Sequence, residues 1–323
     1  MSFAISLALA TLGLVLAAAP ARAEAPPIRN GFTLEPSSIA IDEILAGGPP
    51  RDGIPALDEP AHVTAEAAPW RDDEYVVGVT AGDRSRAYPL AILVWHELVN
   101  DRLGELPLLV SYCPLCGSAI VFDRRVAGQT RRFGVSGLLY RSDLLMFDRE
   151  TESLWSQIGA RAVTGPALAT RLTLLRSSMM RWGRWRRLHP ETTVLAPRTG
   201  HSRPYGRSPY GGYEESTELL FPAPLDRRYH PKTRTLGLRA PDGTTRAYPS
   251  VELLRAGGSA DERFAGRDVS VRFDSEAGEF ETRAPGELEV IESYWFAWAA
   301  FHPETSVFVA PPRGGSGGGE EAP

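Results

Sequence analysis

The sequence predicts an α+β fold that is mainly β and is built from two diverged internal repeats. Two recurring motifs carry this prediction. Arg86-Ala-Tyr-Pro89 returns as Arg246-Ala-Tyr-Pro249, and the pattern Trp-x-x-Trp-x-x-x-His-Pro-Glu-Thr starts at both Trp182 and Trp295. A short β-rich run precedes each Arg-Ala-Tyr-Pro motif. Each copy is therefore expected to run strand, strand, helix, strands, helix, strand.

Local patterns predict the elements of the first copy. The apolar spacing of residues 90–99, after Pro89, is typical of a helix. Residues 106–112 and 118–123 are expected to be strands on either side of a turn. Each Trp-x-x-Trp motif places two indoles on one helix face, and core packing is the favoured interpretation. Because both copies keep the histidine that follows, His189 and His302 are interpreted as scaffold residues.

Composition excludes several classes of protein. The chain has 323 residues, 43% hydrophobic and 23% charged, with a net charge of −5. This profile is that of a folded soluble protein, and it carries no basic surplus for general nucleic-acid binding. Among the 35 basic residues only Lys232 is a lysine, which indicates a codon bias toward arginine. No partner is predicted.

The segments divide the chain as follows. An apolar run over 3–19, followed by the small-x-small cleavage site Ala21-Arg-Ala23, predicts a signal peptide at 1–23, and hence an exported protein, periplasmic or extracellular. The alternative is an uncleaved N-terminal membrane anchor; no later stretch is apolar enough to span a bilayer. The remaining predicted segments are a strap (24–72), repeat one (73–198), a connection (199–232), repeat two (233–311) and a disordered Gly-rich tail (312–323).

The differences between the two copies indicate where a functional site lies. The second copy lacks both cysteines, a counterpart of His96, and an inserted region, mostly 126–165. Within this region, residues 133–140 and 144–155 are expected to form hairpin strands with a polar turn at 148–153. Cys113-Pro-Leu-Cys116-Gly lies between two predicted strands, whereas thioredoxin-type motifs begin a helix. Such a turn resembles a metal knuckle that supplies two thiolates to zinc or copper.

The other ligands of this predicted soft-metal site must come from elsewhere in the chain. His96 is the favoured third ligand, and Asp123, Asp143 and Asp148 are possible fourth ligands. Further histidines, in irregular segments, are His62, His201 and His230. The pocket around the site is expected to include residues of the inserted hairpins: Ser136, Tyr140, Asp143, Asp148 and Trp155.

Two other functions remain open. Cys113 and Cys116 can form a thiol–disulfide redox pair, in which case they are the catalytic residues. Alternatively, they hold an inert turn in a non-catalytic extracytoplasmic binding module. A Cys/His/Asn hydrolase is disfavoured because Asn100 is better explained as a helix C-cap. No phosphate loop, dinucleotide fingerprint or nucleophile elbow occurs in the sequence, so no organic cofactor is predicted.

Several motifs resemble the domain of unknown function 3179 family. They are Tyr112-Cys-Pro-Leu-Cys-Gly-Ser-Ala-Ile-Val-Phe-Asp123, His96-Glu-Leu-Val-Asn-Asp101, Gly134-Val-Ser-Gly-Leu-Leu-Tyr140, Asp148-Arg-Glu-Thr-Glu-Ser-Leu-Trp155 and the run from Gly47 to Asp58. The resemblance extends over about residues 41–311. It implies a bacterial or archaeal protein, often exported, and supplies no established activity.

Overall fold

The computed structural model of the chain describes residues 25–312. The predicted signal peptide (1–23) and all but the first residue of the predicted tail lie outside the described residues. The described part is mainly β, as predicted. Its helices are one 3₁₀ turn (Ile41–Glu43) and four short α-helices, α1 (Leu90–His96), α2 (Trp182–Leu188), α3 (Ser250–Arg255) and α4 (Trp295–Phe301). None of these helices has the length and apolar character needed to cross a membrane.

The N-terminal segment adds short strands to sheets formed by the rest of the chain. Its strands are β1 (Ile28–Arg29), β2 (Phe32–Thr33), β3 (Ile44–Ala46), β4 (Leu57–Asp58) and β5 (His62–Thr64). β1 and β2 pair only with each other, while the other three lie at the edges of three larger sheets. The segment therefore ties these sheets together from outside.

The first half of the chain follows the predicted order of elements. Its strands are β6 (Tyr75–Ala81), β7 (Arg84–Pro89), β8 (Leu98–Leu103), β9 (Leu106–Cys113), β10 (Ser118–Asp123), β11 (Arg125–Val126), β12 (Gln129–Thr130), β13 (Phe133–Tyr140), β14 (Asp143–Asp148), β15 (Leu154–Ser156), β16 (Arg161–Ala162), β17 (Thr173–Leu175), β18 (Ser177–Arg181) and β19 (Thr193–Leu195). The strands predicted at 106–112, 118–123 and 133–140 are confirmed.

The predicted helix over 90–99 is wrong at its C-terminal end. The helix ends at His96, and Glu97 takes a positive φ of 58°. Leu98 and Val99 then pair with Ser111 and Val110 of β9. Both apolar residues are fully buried in this sheet, so strand pairing overrides the helical spacing.

The second half repeats the order with shorter connections. Its strands are β20 (Arg234–Arg239), β21 (Thr245–Pro249), β22 (Ser259–Phe264), β23 (Arg267–Asp274), β24 (Glu279–Arg283), β25 (Glu289–Tyr294) and β26 (Ser306–Val307). β26 runs parallel to β21, just as β19 runs parallel to β7 in the first half.

The sheets place the two halves side by side. The largest has the order β26-β21-β20-β25-β10-β9-β8-β4, with β17 also on β10, so β25 of the second half pairs with β10 of the first. Another sheet has the order β18-β6-β7-β19-β5, and the inserted hairpins form the sheet β16-β15-β14-β13-β3. Strands β22, β23 and β24 form a separate three-stranded sheet. The β9–β10 turn, which carries both cysteines, therefore lies where the two halves meet.

The tryptophans have the predicted packing role. Trp185 and Trp298 are buried, and their indole Nε1 atoms donate to Thr192 and Thr305, at 2.9 and 3.0 Å. Each ring lies against a strand glycine, where a Cβ would approach to 2.2 Å. Only glycine leaves room for a ring this close to the strand.

Candidate functional site

The Cys-Pro-Leu-Cys-Gly segment forms a tight turn between two buried strands. Cys113 ends β9 and pairs with Ser118, the first residue of β10. The N–H of Cys116 donates to the carbonyl of Cys113 at 3.2 Å. Gly117 has a φ of +57°, and a Cβ there would approach the ring of Tyr294 to 2.7 Å. Since a strand follows this turn, the cysteines lack the helix N-terminus that lowers the pKa of thioredoxin-type thiols.

A second hairpin brings a carboxylate to the two thiols. Asp143 begins β14 and pairs with Tyr140 across a two-residue turn formed by Arg141 and Ser142. Both turn residues have positive φ angles, 53° and 66°. This geometry usually selects glycine or asparagine, so the hairpin holds backbone strain next to the thiols.

Cys113, Cys116 and Asp143 form a compact group of metal-ligand type. Their ligand atoms, two Sγ and one carboxylate oxygen, lie within 4.8 Å of one another, and all three residues are buried. Both cysteines are free thiols. Oδ2 of Asp143 accepts a hydrogen bond from the N–H of Ile158 at 3.1 Å, while Oδ1 is buried with no partner among the described residues. An orphaned buried carboxylate oxygen is costly unless a ligand uses it.

Burial raises the pKa of every acidic member of this group. It raises the pKa of Asp143 to about 7, against a usual 3.8. Burial also raises the pKa of Cys113, and that of Cys116 far more. Without a metal or another positive charge, both thiols are therefore protonated at neutral pH, and neither is an activated nucleophile.

Glu97 is a second buried carboxyl beside the group. Burial, and then the charge of Asp143, raise its pKa to about 8. Its positive φ places it at the end of α1, where its carbonyl accepts from the N–H of Tyr112, the neighbour of Cys113. Glu97 lies outside the three-residue ligand group but near enough for its charge to raise the pKa of Cys113.

The connecting segment 199–232 covers the site with aromatic side chains. Tyr213 lies in the same apolar cluster as both cysteines, and its buried hydroxyl has no partner among the described residues. Burial and the charges of the two thiols raise its pKa. Ser142, next to Asp143, likewise has a buried hydroxyl without a partner in the described part of the chain. The backbone carbonyl of Ser142 accepts a hydrogen bond from the Sγ of Cys116 at 3.4 Å, so this residue contacts the thiol pair directly.

The histidines have other surroundings. His96 is the last residue of α1, and its ring nitrogens are 2.7 Å from the carbonyl of Pro55 and 2.7 Å from the hydroxyl of Tyr205. It is not a member of the ligand group, so its ligand role stays a prediction that this geometry does not favour. The other histidines lie outside the group too: His201 lies against His96, His62 pairs with Asp101, and His230 accepts from the N–H of Lys232.

The remaining predicted pocket residues hold the inserted hairpins together. Asp148 accepts hydrogen bonds from Thr151 and from the Nε1 of Trp155 at 2.8 Å. The hydroxyl of Ser136 donates to Leu145 and accepts from Leu138 at a β-bulge. Tyr140 packs on Phe301. Of the five predicted pocket residues, only Asp143 belongs to the ligand group.

Asn100 and Asp123 both lie in strands, away from the cysteine turn. Asn100 is not a helix cap; it lies in β8, where its side chain donates to Phe133 and accepts from it at 2.8 and 2.9 Å. Asp123 lies at the far end of β10 from the cysteines and pairs with Arg125.

Sequence patterns did not single out Glu97, Ser142, Tyr213 or Lys232 as part of the site. Glu97, Tyr213 and Lys232 reach the site through long-range folding, so local spacing gives no signal for them, whereas Ser142 belongs to the turn that precedes Asp143. The only hints are that Glu97 adjoins a predicted helix end and that Lys232 is the sole lysine.

Comparison with known protein families identifies the family of this chain. The model of the family described as "Protein of unknown function (DUF3179)" matches residues 51–284, which is most of the chain. The chain belongs to this family. The ligand group, Glu97 and Lys232 all lie inside the part that DUF3179 covers. No curated protein and no solved structure matched the chain.

Proposed function

We propose that this DUF3179 protein binds a transition-metal ion, best zinc, through the thiolates of Cys113 and Cys116 and the carboxylate of Asp143. The observation that carries the proposal is the group itself: two thiols and one carboxylate oxygen within 4.8 Å, fully buried. The unpaired Oδ1 of Asp143 is the atom that a metal would satisfy.

The donor set favours zinc over copper. Zinc accepts sulfur and carboxylate oxygen together, and three protein ligands with one open position are typical of non-structural zinc sites. Copper(I) prefers soft ligands and gains little from a carboxylate. Thiol exchange is less well supported because both sulfurs are buried and have raised pKa values.

The experiment is a zinc titration of the purified protein against a chromogenic chelator, with metal content measured by mass spectrometry. We expect one zinc per chain, lost when both Cys113 and Cys116 are changed to serine. Asp148→Asn, which alters a carboxylate outside the group, is the matched control and should keep its zinc. A double-serine variant that retains all the zinc of the wild type excludes this site. An intact mass two hydrogens short would instead favour a disulfide couple.

We also infer that the chain consists of two diverged copies, 73–198 and 233–311, of which only the first carries the site. Parallel pairing of β19 with β7 and of β26 with β21 supports this, as do the matching tryptophan–glycine contacts. The turn between β23 and β24 has the length of the cysteine turn. It has Asp274 and Ala277 at the places of Cys113 and Cys116.

The composition of residues 1–23 supports export, and export would give the metal a second role. In an oxidising compartment a free vicinal dithiol is prone to oxidation, whereas a bound metal protects it. The N-terminal sequence of the mature protein tests this: a chain beginning at Glu24 is expected. An intact N-terminus in the membrane fraction would support an anchor instead.

A further inference from the structure

Lys232 is the one lysine in a chain with 35 basic residues. Arginine carries a large planar guanidinium, whereas lysine ends in a compact ammonium. Position 232 therefore has a small cation where the other basic positions of the chain have a guanidinium.

The position is buried against the thiol site. Lys232 is only 5% exposed. Its Nζ donates to the carbonyls of Ser216 and Glu218, at 3.1 and 2.9 Å, and lies 3.7 Å from the centre of the Tyr213 ring. All three contacts are with neutral groups, and no carboxylate in residues 25–312 forms a salt bridge with it. A buried ammonium without an anion is unfavourable unless a negative charge lies close by.

Cys116 is the acidic group whose charge, once its thiol is ionised, acts on Lys232. Burial lowers the pKa of Lys232, and the thiolate charge of Cys116 opposes that effect. Tyr213, which lies under the ammonium, belongs to the same buried cluster as Cys113 and Cys116. The ammonium thus packs on an aromatic ring of the cluster that contains both thiols.

A simple charge balance follows from the proposed ligands. Zinc contributes two positive charges, and two thiolates with one carboxylate contribute three negative charges. The buried complex therefore keeps one negative charge, which is costly to bury unpaired.

We propose that Lys232 is the counter-charge of the metal site, and that its ammonium neutralises the one negative charge left on the zinc complex. This inference rests on the proposed zinc site. Lys232 is then a positioning residue that touches no metal but sets how tightly the anionic ligand set holds zinc.

The test compares zinc affinity in the wild type, Lys232→Met and Lys232→Gln. Glutamine keeps N–H donors for the carbonyls of Ser216 and Glu218 but has no charge. We expect both variants to bind zinc roughly 10- to 100-fold more weakly, the range typical of partners outside the ligand sphere. A glutamine variant with wild-type affinity would overturn the proposal, because the contacts and not the charge would then suffice.

A double-mutant cycle with Asp143→Asn separates charge from structure. In that background zinc with two thiolates is already neutral, so removing Lys232 should change zinc affinity by no more than about twofold. If Lys232→Met costs the same factor with and without Asp143, the residue only anchors the connecting segment and the proposal fails. Cadmium, which binds thiolates more tightly, replaces zinc if the Asp143→Asn affinity is too weak to measure. A wild-type protein that binds neither metal would refute the zinc site itself.

Discussion

Replacing Asp143 by asparagine should stabilise the metal-free protein while weakening its hold on zinc. The unfolded chain ionises this carboxyl near 3.8, whereas burial in the folded protein raises its pKa to about 7. Ionisation of Asp143 therefore opposes folding as the pH rises above 3.8, and the loss in free energy of unfolding reaches its full size above about pH 7. At about 1.4 kcal/mol per pKa unit, the penalty reaches roughly 4 kcal/mol at pH 8. Asparagine removes the charge and keeps an oxygen for the N–H of Ile158.

Asp148, at the other end of the same strand, is the matched control. Its carboxylate accepts from the N–H and hydroxyl of Thr151 and from the indole of Trp155, with Arg131 at 3.3 Å. These are charge-assisted bonds in a buried site, so Asp148→Asn should destabilise the protein by about 1–3 kcal/mol. The same substitution thus has opposite signs at the two ends of β14.

The assay is urea denaturation at pH 8, with a chelator and then with excess zinc. With chelator, Asp143→Asn should unfold at higher urea than the wild type, and its advantage should vanish near pH 4. With zinc, the wild type should gain stability according to its affinity, and Asp143→Asn should gain far less. If Asp143→Asn is destabilised in chelator as much as Asp148→Asn, Asp143 is a structural residue and the reasoning is refuted.

Three other outcomes follow. Gly117→Ala should lower the free energy of unfolding by roughly 2–4 kcal/mol, because it adds backbone strain at φ +57° and a steric contact with Tyr294. Gly128→Ala, at φ +78° with open space around it, should lower it by only about 1 kcal/mol, and thermal melts of both variants measure the difference. Burial and Arg239 lower the pKa of His302 to about 3, so folding should lose about 2 kcal/mol between pH 7 and pH 5, where only the unfolded chain protonates it. His302→Gln should remove that loss, and an unchanged slope would contradict this reasoning. Asp143→Asn should keep its affinity for copper(I), which needs only the two thiolates, so parallel losses of copper and zinc would argue against this ligand set.

The strands were predictable where local signals and tertiary pairing agree. Residues 118–123 and 133–140 are apolar runs bounded by turn residues, and both form the predicted strands. The helix predicted after Pro89 runs to residue 99, beyond its actual end at His96, because Leu98 and Val99 continue the apolar spacing. Leu98 and Val99 form a strand because they pair with β9. A prediction from the residues around them cannot include this pairing.

The candidate site was predictable only in its local part. The Cys-Pro-Leu-Cys-Gly turn is readable from sequence, and Asp143 was one of several possible carboxylates. Choosing Asp143 over Asp148 requires knowing which end of β14 faces the thiols. The proximity of Glu97 and Lys232 to the cysteines depends on a helix end and on a connection that folds back across the chain, so spacing cannot predict it.

The second half of the chain bears on why the thiols are present at all. Its turn between β23 and β24 has the same length as the cysteine turn and, like it, ends in a glycine with positive φ, 67° at Gly278. There the first position is Asp274, whose carboxylate accepts from the N–H of Ala277 at 3.1 Å. A turn of this shape therefore closes without sulfur, by ordinary hydrogen bonds. Since Cys113 and Cys116 are not needed to form it, their burial beside Asp143, whose Oδ1 has no partner among residues 25–312, is better explained by a ligand that all three side chains share than by the stability of the turn.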